Sequence, residues 1–441
     1  MDTEQRALTS ILNQVKQAVG APGIAAGISG GNKRIVAFSG LADSSRKFPL
    51  TRESRFGIAC ITKLLVSVVT HHLNATGVLS LDDKLIGVIP SLSGTNLAGR
   101  GIRIRDLLSH SAGYQGPLLL GGMHRSFTLA ILVDSIGNGL QTFAPGSTFN
   151  YENTGHVLVG EIIEQITGRC ITDWIDTILF QPLGIHPESA VQNYTNASRY
   201  VAPHRIDNGV SRAVAPMPFG KFWKSSLADW TLSIDDLLSL GEAIVGRRPE
   251  IDLSFVREVL AKSRVLVPSS VSGRLREHVP QYFNAICAEY GSGWFGYAGS
   301  ALGQTCALRF DVVTGDTCVV GINSWLPIAR DALIDKLCGR ESHPDAGRPG
   351  GNSVSVRDLA GIYFGGGNIV RSVRVKISAN SVICELGDDG LRSEPIRIEL
   401  DENGNLVPDQ NSLFPGLGFF RDSVDDVPCI ILGSSSLKKS I

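Results

Sequence analysis

Residues 55–69, RFGIACITKLLVSVV, pass from an extended segment into an apolar helix, and Cys60 stands at the change. Lys63 follows one turn later, so the thiol and the amine share a helix face. The partial positive charge of a helix N-terminus and a neighbouring ammonium both favour a thiolate, lowering a thiol pKa from its free value of about 8.5. In such a pair the lysine either stabilises the thiolate or takes its proton as a base. The same spacing also fits a buried structural cysteine, and only the surrounding sequence can decide between the two.

Downstream, FNYENTGHVLVGEIIEQITG (residues 149–168) sets Tyr151 and Asn153 after a Pro145-Gly146 turn and before a helix predicted to begin near Thr154. Both side chains then sit at a loop-helix junction, where they can face a cleft. A phenol near a cation shuttles a proton, and an amide fixes a carbonyl or a lysine. Taken alone, Tyr151 reads equally as a packed aromatic with a satisfied hydroxyl.

Outward from these stretches the pattern alternates. Leu8, Ile11, Leu12, Val15 and Val19 recur at helical intervals in a charged opening segment, which reads as a surface helix rather than a secretory leader. GIAAGIS and RIVAFSG are strands joined by the hairpin turn Gly30-Gly31-Asn32-Lys33. From Phe56 to about Leu260 helical periodicity dominates, and strands return at ALRFDVVTG and TCVVGIN before a closing helix in RDALIDKLCGR. Strands at both ends with helices between predict one mixed sheet carrying a helical insertion. Residues 341–353, ESHPDAGRPGGNS, read as a linker. Beyond it, short alternating strands separated by turns such as Asp388-Asp389-Gly390 and Glu402-Asn403-Gly404 predict a small all-β module over residues 354–441.

Composition narrows the classes. Of 441 residues 43% are hydrophobic and 19% charged, enough to bury a sizeable core. Forty-one Lys and Arg against forty-two Asp and Glu leave a formal charge of −1, with no basic field for nucleic acid or an anionic bilayer. The eight cysteines are scattered without C-x-x-C pairs or matching histidines, which argues against structural zinc. The apolar run LLVSVVTHHL falls short of the roughly 20 residues a membrane span requires. A soluble, cytoplasmic protein with reduced thiols is expected.

Together the segments resemble the serine β-lactamase-like family, in the branch of class C β-lactamases, D-alanyl-D-alanine carboxypeptidases, esterases and transacylases. FGIACITKLL is similar to the surroundings of the family's S-x-x-K, with Cys60 at the nucleophile and Lys63 at the lysine. Tyr151-Glu152-Asn153 is similar to its Y-x-N, and LDDKLIGVIP, IRIRDLLSHSAG and SIDDLLSLG look like framework segments. The resemblance implies an α/β fold, an antiparallel sheet flanked by helices with a helical insertion, over a catalytic domain of residues 1–340. A small C-terminal β-domain is also similar to an appendage of many members.

Two departures shape the expected chemistry. The family's third motif, K-T-G or H-x-G, is best matched by Tyr297-Ala298-Gly299-Ser300, which has no cation. Main-chain donors survive such a change, so the amides of Cys60 and Ser300 are implied as the oxyanion hole, with Tyr297, Gly299 and Asn153 toward the substrate. The loss of the cation weakens recognition of a carboxylate-bearing substrate. Cys60 itself implies a thioester, which amines, thiols and carbanions attack more competitively against water than they attack an oxygen ester. The expected function is acyl transfer through Cys60, Lys63 and Tyr151, without metal or organic cofactor. Its partners are a small-molecule acyl donor and acceptor, the acyl group free or carried by a carrier protein or CoA. An esterase or amidase of the same fold, including a serine enzyme with Cys substituted at its nucleophile, and a ligand-binding pseudoenzyme are the alternatives.

Other signals carry less. Gly27-Ile28-Ser29-Gly30-Gly31 fits G-x-S-x-G but enters a hairpin rather than a strand-turn-helix elbow. His71, His72 and His110 read as solvated or capping residues. Phe222, Trp223 and Trp230 either line the cleft or pack the insertion.

Overall fold

The computed structural model describes residues 3–114, 129–137, 141–189, 199–207, 210–215, 230–260, 265–266, 280, 282–291, 293–301 and 303–339, and eight strands between 361 and 439. The linker at 341–353, and with it Phe222 and Trp223, lies outside the described residues. The chain divides into two compact units. The first comprises Met1–Val78, Ile163–Lys262 and Ile286–Glu341, and the second Leu79–Ile162, Ser263–Ala285 and Ser342–Ile441.

At the centre of the first unit lies a sheet. Its order is Phe48–Pro49, Lys33–Asp43, Gly23–Gly30, Thr317–Ile322, Gln304–Asp311, Trp294–Ala301 and Ala288–Gly291. The pairings between these strands are antiparallel, where periodicity alone suggested a mixed sheet. The hairpin at Gly30 to Lys33 forms as its turn residues require, and Gly27 sits between Val36 and Val319. Gln304–Asp311 and Thr317–Ile322 are buried along their whole length, as inner strands covered on both faces must be.

Helices cover both faces. Leu308 of the sheet meets Gly241 of the helix Ile234–Ile244, whereas Thr305 meets Arg330 of the helix Pro327–Leu337. Residues an odd number apart on a strand point to opposite faces, so these two helices lie on opposite sides. The helix Thr3–Val19 joins the second of them, burying Leu8 and Leu12. Ser233 caps Ile234–Ile244, accepting from the Asp236 amide at 3.0 Å while the Asp236 carboxylate accepts from the Ser233 amide at 2.9 Å. A small antiparallel sheet of Glu188–Ser189, Trp230–Ser233 and Arg55–Gly57 leads into the helix Ile61–Ala75, and Trp230 packs edge-on against Phe180.

Within the second unit are the helices Ile104–Leu108 and Leu129–Gly137, most of Thr154–Thr167, and the strand pair Val265–Leu266 with Tyr282–Phe283. Eight C-terminal strands form an antiparallel sheet of their own. Its order is Leu406–Val407, Ile396–Leu400, Ser381–Gly387, Ser372–Ser378, Gly361–Gly365, Ser435–Lys439, Pro428–Leu432 and Gly418–Arg421. This is an up-and-down meander whose first and last strands are neighbours. Alternation identifies most of it but misses Gly418–Arg421, too short to show a period, and Ser435–Lys439, whose residues are mostly polar.

Candidate active site

In the first unit the backbone turns sharply at Ala59. Ile58 still belongs to the extended segment, its amide donating to Trp230 O at 3.1 Å. Ala59 then takes a left-handed φ of 43°, a conformation costing on the order of 1–3 kcal/mol for a residue with a Cβ. The amides of Ile61, Thr62 and Lys63 donate to the carbonyls of Ile58, Ala59 and Cys60, each at 3.0 Å, and the helix begins. Strand, strained turn and helix therefore succeed one another within a few residues, and Cys60 occupies the N-cap. Cys60 is half-buried, whereas Lys63 is fully buried. Cys287 and Cys306 are fully buried, and burial pushes both thiols up, Cys306 to about 12, and keeps them protonated.

The strand Trp294–Ala301 passes this turn at Gly299. A Cβ on Gly299 would lie 2.1 Å from Ile58 O and 3.0 Å from the Cys60 amide nitrogen, so only glycine fits. Tyr297, two residues away and buried, lies on the same face of the sheet as Gly299. Ser300 directs its side chain to the opposite face, where its hydroxyl hydrogen-bonds Thr305 at 2.8 Å.

In the second unit Tyr151 is half-buried and Asn153 buried, both just before the helix Thr154–Thr167. Glu152 between them turns inward. Its Oε1 accepts from the Tyr114 hydroxyl at 2.8 Å and from the Gly155 amide at 2.7 Å. An anion there suits the first turn of a helix. Burial, reinforced by the Glu152 charge, holds the Tyr114 phenol well above its ordinary range, so it remains a donor.

His110 corrects the expectation of a solvated histidine. It is buried, has a left-handed φ of 54°, and sends its ring into an aromatic group with Tyr151, His156 and Phe283 at centroid distances of 4.4, 5.1 and 5.0 Å. His71 is buried as well, inside the helix Ile61–Ala75. The adjacent polar pair His71-His72 masks this, because only one of two consecutive helical positions faces the core. Tyr114 and the inward turn of Glu152 are not legible in local patterning, although an acid just before a helix start is a usable signal for Glu152. Ser29 donates to Glu242 at 2.5 Å and accepts from Arg247 at 3.1 Å from within the hairpin strand, a structural place as expected.

Cys60, Lys63, Tyr297, Gly299 and Ser300 thus belong to the first unit, and Tyr151 and Asn153 to the second. Among the described residues no group of three or more His, Cys, Asp or Glu is placed to hold a metal. No helix among them is long and apolar enough to cross a membrane.

The Beta-lactamase family profile matches residues 8–337. Penicillin-binding protein 4 of Amycolatopsis lactamdurans is 24% identical over 361 residues, covering 74% of this chain and 88% of that protein. Esterase EstB of Burkholderia gladioli is 26% identical over 204 residues, 41% of this chain and 50% of the esterase. Among solved structures, SurE superposes with a TM-score of 0.75 at 20% identity, covering 99% of both chains. A class C beta-lactamase does so with a TM-score of 0.63 at 16% identity, covering 78% of this chain and 98% of its own.

Proposed function

This chain belongs to the Beta-lactamase family, in the superfamily of hydrolases and acyltransferases with that fold, and we propose that it transfers acyl groups through a thioester on Cys60. The observation that carries the reading is the strained Ala59 turn. It sets a half-buried thiol at a helix start against the backbone of Gly299, with buried Lys63 one turn on. We assign catalysis to residues 1–340, which the family match nearly spans, and the module 354–441 to a separate domain.

In the first step the Cys60 sulfur attacks the donor carbonyl carbon, and its proton passes to Lys63 or Tyr151. The amides of Cys60 and Ser300 hold the developing oxyanion, and Asn153 orients the acyl group. Collapse expels the donor's leaving group, which takes the proton and leaves a thioester. In the second step an acceptor amine or thiol, passing its proton to Tyr151 or Lys63, or a carbanion attacks that thioester; Cys60 departs as the thiolate and regains a proton from that group or from solvent. Tyr297 in place of a cation suits donors without a carboxylate at that position, such as small esters or thioesters of natural-product biosynthesis, free or bound to a carrier protein or CoA. The reduced thiol this chemistry needs favours a cytoplasmic setting.

Hydrolysis by the same intermediate is the second reading, favoured by the relative called an esterase. Intact mass after addition of an activated acyl donor tests the first step, and a stable adduct on Cys60 is the expected result. Discharge separates the readings: an added amine or thiol removes the adduct faster than water in a transferase, and no faster in a hydrolase. Absence of any adduct with every donor tried would refute both.

A further inference from the structure

Behind the strand that carries Ser300 lies a buried cation. Arg330, on the helix Pro327–Leu337, is 6% exposed. Its Nη1 donates to Ser300 Oγ at 3.0 Å and to Thr305 Oγ1 at 2.6 Å. On its other side Nε donates to Asp331 Oδ1 at 2.9 Å and Nη2 to Asp331 Oδ2 at 2.7 Å. Asp331 is in turn 3.6 Å from Nη2 of Arg309, which is wholly buried with its guanidinium 3.4 Å over the Tyr290 ring. The guanidinium of Arg330 is therefore held on one side by a charge pair and extends its last nitrogen to two hydroxyls.

The hydroxyls allow one assignment of protons. Thr305 donates to the carbonyl oxygen of Gly299 at 3.1 Å, so Ser300 donates to Thr305 at 2.8 Å, and each oxygen accepts one hydrogen of Arg330 Nη1. This fixes the direction of the strand's peptide groups. The Gly299 carbonyl points toward Gln304–Asp311, and backbone groups of successive strand residues point to opposite sides. The Ser300 N–H consequently points away from that neighbour, on the side opposite the Gly299 carbonyl. Gly299 itself is pressed against the Cys60 amide.

We infer that Arg330 is a positioning residue for the acyl-transfer chemistry: through Ser300 and Thr305 it clamps the Gly299-Ser300 peptide so that the Ser300 amide meets the oxyanion. The inference rests on the proposed acylation of Cys60. Charge-assisted bonds are about twice as strong as neutral ones, and misplacing a donor by about 1 Å costs roughly 100-fold in rate. Arg330 touches no reacting atom in this role and acts only through the strand.

Two reactions of the same sulfur distinguish this role from a merely structural one. Acylation by p-nitrophenyl acetate or S-phenyl thioacetate passes through an oxyanion, whereas alkylation by iodoacetamide is a displacement at saturated carbon that forms none. In Arg330→Met the acylation rate is expected to fall about 100-fold, mainly in kcat, with alkylation of Cys60 within about 2-fold of the parent. Thr305→Val should lose acylation in the same way and Thr305→Ser, which keeps the hydroxyl, should recover it; this pair carries the test should Arg330→Met fail to fold. Unchanged acylation, parallel loss of acylation and alkylation, or a loss confined to KM would each overturn the inference, the last by making Arg330 a substrate contact. A parent protein that alkylates at Cys60 but never acylates would instead defeat the acyl-transfer reading, and this inference with it.

Discussion

The imidazole of His110 lies 4.4 Å from the ring of Tyr151, tilted by 35°, while its Nδ1 accepts from the amide of Glu152 at 3.3 Å. Accepting at Nδ1 places the ring proton of the neutral tautomer on Nε2. One side chain thus packs against the candidate proton carrier and anchors the residue that follows it. His110→Phe keeps an aromatic ring but strips the acceptor from a buried amide. It is expected to cost about 1–3 kcal/mol in urea unfolding and to lower kcat more than it raises KM.

Tyr114 supports the same motif from below. Tyr114→Phe removes the hydroxyl that donates to Glu152 at 2.8 Å and leaves a buried carboxylate one donor short. A lower midpoint of thermal unfolding is expected, equivalent to about 1–3 kcal/mol, because an unmet buried acceptor costs more than the bond itself contributed.

Exchange of the nucleophile separates acylation from transfer. Cys60→Ala should abolish the adduct and reduce turnover by about 10³-fold or more. Cys60→Ser should form an oxygen ester, so the ratio of amine transfer to hydrolysis falls when product partition is measured at fixed amine. An unchanged ratio would show that the cavity, rather than the sulfur, chooses the acceptor.

Gly299→Ala tests the close passage beside the nucleophile. Its methyl group would meet Ile58 O at 2.1 Å, so the strand must withdraw from the Cys60 amide. Loss of an aligned oxyanion donor predicts a fall of about 10²- to 10³-fold in single-turnover acylation, read by stopped-flow release of p-nitrophenol.

His204 predicts a pH dependence of stability. Its Nε2 accepts from the Ser44 amide at 3.0 Å, so Nδ1 carries the proton and donates to Asn323 O at 3.2 Å. Burial lowers its pKa from 6.5, opposed in part by Asp43 and by carbonyl oxygens. The unfolded chain therefore binds this proton more readily than the folded one. The resulting stability is present above pH 6.5 and is lost as pH falls through the lower, folded pKa. Thermal melts of His204→Gln should show a flatter decline than the parent as the pH falls below 6.5.

Local patterning in the chain determined a good deal by itself. The hairpin at Gly30-Gly31, the helices at Ile61 and Thr154 and the strands at Gln304 and Thr317 follow from turn chemistry and periodicity, which act over a few residues. The spacing of Cys60 and Lys63 likewise needs only one helical turn. Tertiary structure alone decided the left-handed backbone of Ala59, the approach of Gly299 to Ile58, the inward turn of His110 and the reach of Arg330 to Ser300. Each of these depends on partners distant in sequence or on strain that surrounding packing sustains, and neither leaves a repeat that a single sequence can display.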